Sequence, residues 1–136
     1  MARALTEEAS LTRTGHCAGT PGFMSPEQAL GQEVSFRTDL FSLGCTIYMM
    51  CSGRSPFEGS TSFDTMRKIC EESPRPLNEL KPETPEWLCV ILESLLEKEP
   101  TERMKSAERL LKILKRCRKQ ILQGKTPRVK RNRGRQ

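Results

Sequence analysis

The run from Ser35 to Ser52 carries Leu40, Phe41, Leu43, Ile47, Tyr48, Met49 and Met50 spread around the helical wheel rather than along one stripe. A helix that is apolar on nearly every side is stable in water only when protein encloses it. This segment therefore predicts a central buried helix and makes the rest of the chain its cover. Gly53 is placed to end it as a left-handed cap, and Pro56 blocks any continuation. The longest apolar stretch, Leu43 to Cys51, is interrupted by Gly44 and Thr46 and falls far short of the roughly 20 residues that span a bilayer. With no apolar signal segment at the N-terminus either, no transmembrane segment is expected.

Shorter helices surround this one. Ser25-Pro26-Glu27 has the order of an N-cap, a proline in the first turn and an acid at the positive end of the helix dipole; the helix runs to about Ala29 and Gly31 closes it. Thr61 or Ser62 caps a third helix to about Glu71, with Phe63, Met66, Ile69 and Cys70 assigned to one face. Residues 73–83, with prolines at 74, 76 and 82, read as an irregular connection. Thr84 is the expected cap of a fourth helix, with Pro85 at its first position and Trp87, Leu88, Ile91, Leu92 and Leu95 at helical spacing. Ser106 caps a fifth, bearing Ala107, Leu110, Leu111, Leu114, Cys117 and Ile121, with Gly124 as its stop. No strand and no internal repeat is evident, so the expected fold class is mainly α.

Composition agrees with that class. A length of 136 residues suits one domain with a modest core, and with aromatics at 5% Leu, Met, Ile and Cys must fill it, which favours helix packing over a sheet sandwich. Cysteines at 17, 45, 51, 70, 89 and 117 form no Cys-x-x-Cys pair, and His16 is the only histidine, so a zinc site is unsupported. Thiols beside apolar neighbours act as small hydrophobes in a reducing compartment, and a cytoplasmic location is expected. His16-Cys17 makes a poor nucleophile pair, because adjacent side chains diverge and no third group is at hand.

The net charge of +6 is uneven: residues 115–136 hold ten Lys or Arg and no acid, whereas residues 1–114 carry a net −4. Two readings of this basic tail stand. One is a solvated, disordered end. The other is a binder of an anionic partner, whether nucleic acid, lipid surface or acidic protein, that weakens with salt. No aromatic residue is interleaved for base stacking.

The stretch Gly19-Thr20-Pro21-Gly22-Phe23-Met24-Ser25-Pro26-Glu27, followed twelve residues later by Asp39-Leu40-Phe41-Ser42-Leu43-Gly44, resembles the end of a protein kinase activation segment running into the central helix of the large lobe. Ser-Pro-Glu stands for the family's Ala-Pro-Glu, and Phe41 stands where the family often has tryptophan. Gly53-Arg54-Ser55-Pro56-Phe57 matches a Gly-Arg-x-Pro-Phe segment read as packing rather than chemistry. The resemblance, closest to bacterial, eukaryotic-like Ser/Thr kinases, covers residues 1 to about 116. It implies the helical large lobe of the kinase fold, with the small β-rich ATP lobe absent. It divides the chain into an activation-segment loop (1–22), a helical body (23–116) and a basic tail (117–136).

The resemblance also assigns roles. Gly19, Thr20, Pro21 and Phe23 are implied to form a substrate-facing loop, Thr20 favouring serine or threonine as acceptor. Glu27 is implied to pair with Arg103, in Lys98-Glu99-Pro100-Thr101-Glu102-Arg103, pinning that loop to the body. Asp39 is implied to hold the backbone of a catalytic loop, and its place near a helix start has a dipole explanation besides. Thr12 and Thr14 match paired activation-loop phosphorylation sites. Gly-Thr-Pro-Gly is also good turn chemistry on its own.

Phosphoryl transfer needs a Gly-rich loop, a lysine paired with a helix glutamate, a catalytic aspartate and metal-binding Asn and Asp. The 136 residues contain no Gly-x-Gly-x-x-Gly, Val-Ala-x-Lys, His-Arg-Asp or Asp-Phe-Gly. The chain alone is expected to be inactive, with no catalytic or metal residue of its own and with ATP and Mg belonging to the complete family domain. Met1-Ala2-Arg3-Ala4 looks like the Leu-Ala-Arg-Ala that commonly follows Asp-Phe-Gly in these kinases, which suggests a truncated gene product or a misplaced start. Three readings remain: part of a Ser/Thr kinase, partnered by a protein substrate or the missing kinase portion; a non-catalytic protein-binding module or pseudokinase-like fragment; and a nucleic-acid or membrane-surface binder acting through its tail.

Overall fold

The computed structural model describes residues 21–131. After a 3₁₀ turn at Pro21–Phe23 come α1 (Pro26–Ala29), α2 (Phe36–Ser52), α3 (Ser62–Glu71), α4 (Leu77–Leu80), α5 (Glu86–Leu95) and α6 (Ala107–Leu122), with no strand among the described residues. The mainly α expectation holds.

Local chemistry sets most of the boundaries. Ser25 Oγ accepts from the Gln28 N–H at 3.2 Å while Gln28 Oε1 accepts from the Ser25 N–H at 3.0 Å, a reciprocal box that satisfies two donors the helix start would leave orphaned. Ser35 and Thr38 do the same for α2. Thr61 and Ser106 cap α3 and α6. Gly53 ends α2 at φ 75°, a conformation that costs glycine nothing.

The body is organised on the crossing of α2 and α5. At Gly44 a Cβ would stand 2.9 Å from Leu95 Cβ and 3.0 Å from Leu96 Cδ2, so the absence of a side chain is what brings the two helices together. On one side of the crossing Phe41, Cys45, Tyr48, Phe57, Ile69, Leu77, Leu92 and Leu96 form a core. On the other, Leu40, Ile91, Leu95, Met104, Leu110, Ile113 and Cys117 form a second. Helices α2 and α5 feed both.

Several expectations are corrected. Phe63 is 79% exposed and does not share the buried face of Ile69. A short helix, α4, lies within the connection expected to be irregular, and its Leu77 is buried. Pro85, not Thr84, occupies the N-cap of α5, with no side-chain hydrogen bond. On α6, Leu110, Ile113 and Cys117 are buried while Leu111, Leu114 and Ile121 are exposed. The central helix is not fully enclosed by the described residues: Phe36, Leu43 and Met49 are exposed and Met50 is 80% so.

The basic end does not trail into solvent as far as Arg131. Gly124, at φ 72°, reverses the chain, the Lys125 N–H donates back to the Gln120 carbonyl at 2.8 Å, Pro127 is buried and Val129 packs on the second core. Arg131 then grips α5, its Nη1 2.9 Å from Glu86 Oε1 and its Nε 3.0 Å from Glu93 Oε2. Among the described residues no helix is long and apolar enough to cross a membrane.

Candidate functional site

Residues 21–27 lie against the first core and are fastened from below at three points. The Ser55 hydroxyl donates to the Gly22 carbonyl at 3.4 Å, and a Cβ on Gly22 would stand 2.8 Å from that same hydroxyl oxygen, so glycine permits the approach. Ser42, half-buried on α2, donates to the Phe23 carbonyl at 2.9 Å, and the Phe23 side chain packs with Met24 against the first core.

The third point is the Glu27–Arg103 pair. Arg103 Nη1 lies 2.8 Å from Glu27 Oε2 and Nη2 3.1 Å from Oε1, with the two side chains 0% and 3% exposed. The remaining guanidinium donors reach the carbonyls of Glu97, Arg37 and Lys98 at 2.9, 2.7 and 3.2 Å, so all five N–H groups are satisfied. Thr38 adds a hydrogen bond to Glu27 Oε2 at 3.0 Å, and the Phe41 ring lies 5.0 Å beneath the guanidinium. Burial by itself pushes the Glu27 carboxyl up, but the hydrogen bonds and charge of Arg103, with help from Thr38, hold it below its ordinary value. Arg37 closes the arrangement from above, donating to the Pro100 carbonyl at 2.7 Å.

Lys98, in the same turn as Arg103, has its amino group 3.8 Å from the Phe57 ring centroid and 3.3 Å from the Lys68 carbonyl. Burial lowers its pKa to about 8. Phe57 stacks on Phe41 at 5.9 Å. Burial raises the Cys45 thiol to about 12, so it is protonated and inert as a nucleophile.

Of the residues the sequence singled out, Glu27 and Arg103 are brought together, and Phe23 is packed beside them. Asp39 is exposed in the first turn of α2. Pro21 lies in the 3₁₀ turn. Gly19, Thr20, Thr12 and Thr14 lie outside the described residues. Sequence reasoning missed Thr38, Ser42, Ser55, Arg37 and Lys98. Thr38, three residues after Ser35, had a capping-box spacing that could have flagged it; the others carry no local signal.

Of the groups the resemblance implies for a whole domain, ATP and Mg, the metal does not fit the described residues. Among the described residues no three His, Cys, Asp or Glu converge to hold a metal ion, and the carboxylate nearest the loop, Glu27, is fully occupied by Arg103. What the arrangement can do is hold a loop rigidly at the surface of a helical body. That fits the helical large lobe of a kinase fold.

Comparison with known proteins agrees. The pattern of the family described as "Protein kinase domain" matches residues 1–114, and the chain belongs to that family. It is 34% identical over 119 residues to a probable serine/threonine-protein kinase of Streptomyces coelicolor, covering 86% of this chain and 18% of that one. It is 40% identical over 103 residues to the probable serine/threonine-protein kinase pdkA of Dictyostelium discoideum, covering 75% and 14%. Among solved structures, the twitchin kinase region from C. elegans superposes with a TM-score of 0.59 at 29% identity, covering 66% of this chain and 16% of that one. The chain thus spans less than a fifth of these relatives.

Proposed function

We propose that this chain supplies the protein-substrate platform of a Ser/Thr protein kinase and transfers phosphate only within a complete domain whose other parts bring ATP and Mg. The observation that carries this reading is the buried Glu27–Arg103 pair with all five guanidinium donors engaged. It helps to fix the loop at Phe23 against the body. In this reading Gly19, Thr20, Pro21 and Phe23 receive the acceptor segment, Thr12 and Thr14 are modification sites, and Asp39, exposed on α2, meets the backbone of a catalytic loop supplied from elsewhere in the domain. The described cysteines are all free thiols, the usage of a reducing compartment, and the reading places the protein in the cytoplasm.

The test is a chimera in which residues 1–122 replace the matching part of the pkn3 kinase of Myxococcus xanthus, to which the chain is 37% identical over 102 residues. The isolated 136-residue chain incorporates no labelled phosphate from ATP, whereas the chimera phosphorylates serine or threonine peptides. A chimera that binds ATP and melts cooperatively yet transfers nothing sinks the proposal.

A further inference from the structure

We infer that a cavity beside the substrate loop takes an anionic side chain, a carboxylate or a phosphorylated hydroxyl, of the protein held on that loop; this rests on the platform reading above. The cavity, about 290 Å³, lies between the end of α2, the turn after it, the second half of α3 and the connection that follows. It adjoins the loop directly, because Ser55, which lines it, is the residue that donates to the Gly22 carbonyl. A chain laid along the loop and past Gly22 therefore brings a neighbouring side chain over its mouth.

Three cations from three segments line it: Arg54, Lys68 and Arg75. Arg54 is exposed, and only its backbone hydrogen-bonds among the described residues, which leaves a planar five-donor fork open for a carboxylate or phosphoryl group. Lys68 directs its ammonium to the Glu58 carbonyl at 3.2 Å and keeps two N–H groups. Arg75 touches Glu79 only through Nε, at 3.6 Å. Of the two acids in the wall, Glu72 is drawn off by Arg67 at 3.4 Å, which leaves Glu58, together with Glu79 at Arg75, against three cations. Phe57 and Leu80 add apolar surface to the lining. In the sequence Arg54 reads as part of a packing segment; Phe57 does pack, at 2% exposure, and Arg54 does not.

The experiment measures fluorescence anisotropy of the 136-residue chain with labelled twelve-residue peptides bearing a central serine. Flanking positions carry glutamate in one, phosphoserine in a second and glutamine in a third. At low salt the glutamate and phosphoserine peptides are expected to bind about fivefold or more tightly than the glutamine peptide. Arg54→Ala, with an unchanged melting curve because the residue is exposed, removes the preference, and Arg54→Glu reverses it toward a lysine peptide. A preference for phosphoserine alone assigns the cavity to primed substrates; one shared by both anions assigns it to acidic ones. Equal affinity for all three peptides, or a preference that survives Arg54→Ala, overturns the inference while leaving the platform reading to the chimera. Failure of every peptide to bind overturns it as well.

Discussion

Arg103 and Glu27 are 76 positions apart in sequence and nowhere near solvent, so each takes from the other the compensation that water would otherwise give. Removing one partner of such a pair strands a buried ion and costs about 3–5 kcal/mol. Arg103→Ala is expected to lower the urea midpoint accordingly, and Arg103→Lys to recover little, because a lysine cannot reach five acceptors arranged around a planar fork. Acid has a related effect. The folded Glu27 carboxyl titrates below its ordinary 4.5, so its contribution is complete above that pH and is lost as pH falls through the folded value. Urea melts of wild type and Glu27→Gln at stepped pH should converge on acidification. Lys98 works at the other end: its folded pKa of about 8 lies below the ordinary 10.5, so between those values the unfolded chain binds more protons and stability rises with pH. The stability difference between wild type and Lys98→Met should climb across that window. The comparison with the mutant is needed because the buried thiols, Cys45 foremost, pull the other way above pH 9. The Glu27–Arg103 pair was legible only through the family resemblance; spacing alone pairs nothing across so long a separation.

At the scale of the helices, the tightest constraint is Gly44. Alanine there gains about 1 kcal/mol of helix propensity but sets a methyl against Leu95 and Leu96 at about 3 Å. Overpacking of that kind costs about 1–3 kcal/mol, so Gly44→Ala is expected to be destabilising on balance, measured by urea unfolding. Helix existence could be read directly because Ser25, Ser35, Thr61, Ser106 and Gly53 are local signals that act within one turn. Which apolar side chains are left outside could not. Phe63 and Ile69 are six residues apart, about 120° around a helix, and only the position of α2 decides that Ile69 faces inward. Likewise α2 reads as apolar all round, and the bare stripe of Leu43 and Met50 appears only when its neighbours are placed. Met50→Glu is expected to reduce self-association of the isolated chain in sedimentation without lowering its melting temperature.

For the molecule as a whole, the returning strap at residues 125–131 changes what the basic tail is. The family pattern ends at residue 114, yet the strap buries Pro127, reaches the second core with Val129 and ties Arg131 to Glu86 and Glu93. Val129→Asp is expected to lower the melting temperature by about 3–6 °C. Arg131→Ala should shift it far less, because its ion pairs are exposed and screened by salt. Differential scanning fluorimetry at two salt concentrations separates the two. No sequence signal marks this return, since Arg131 and Glu93 are 38 residues apart and each looks like an ordinary surface charge.

The buried pair also imposes an order of events during synthesis. Glu27 leaves the ribosome long before Arg103, and until the turn at residues 97–103 emerges its carboxylate has no partner that could hold it inside. The loop that the pair fastens is therefore among the last parts of the body to take shape, assembled only after the apolar helix beneath it has already needed protection.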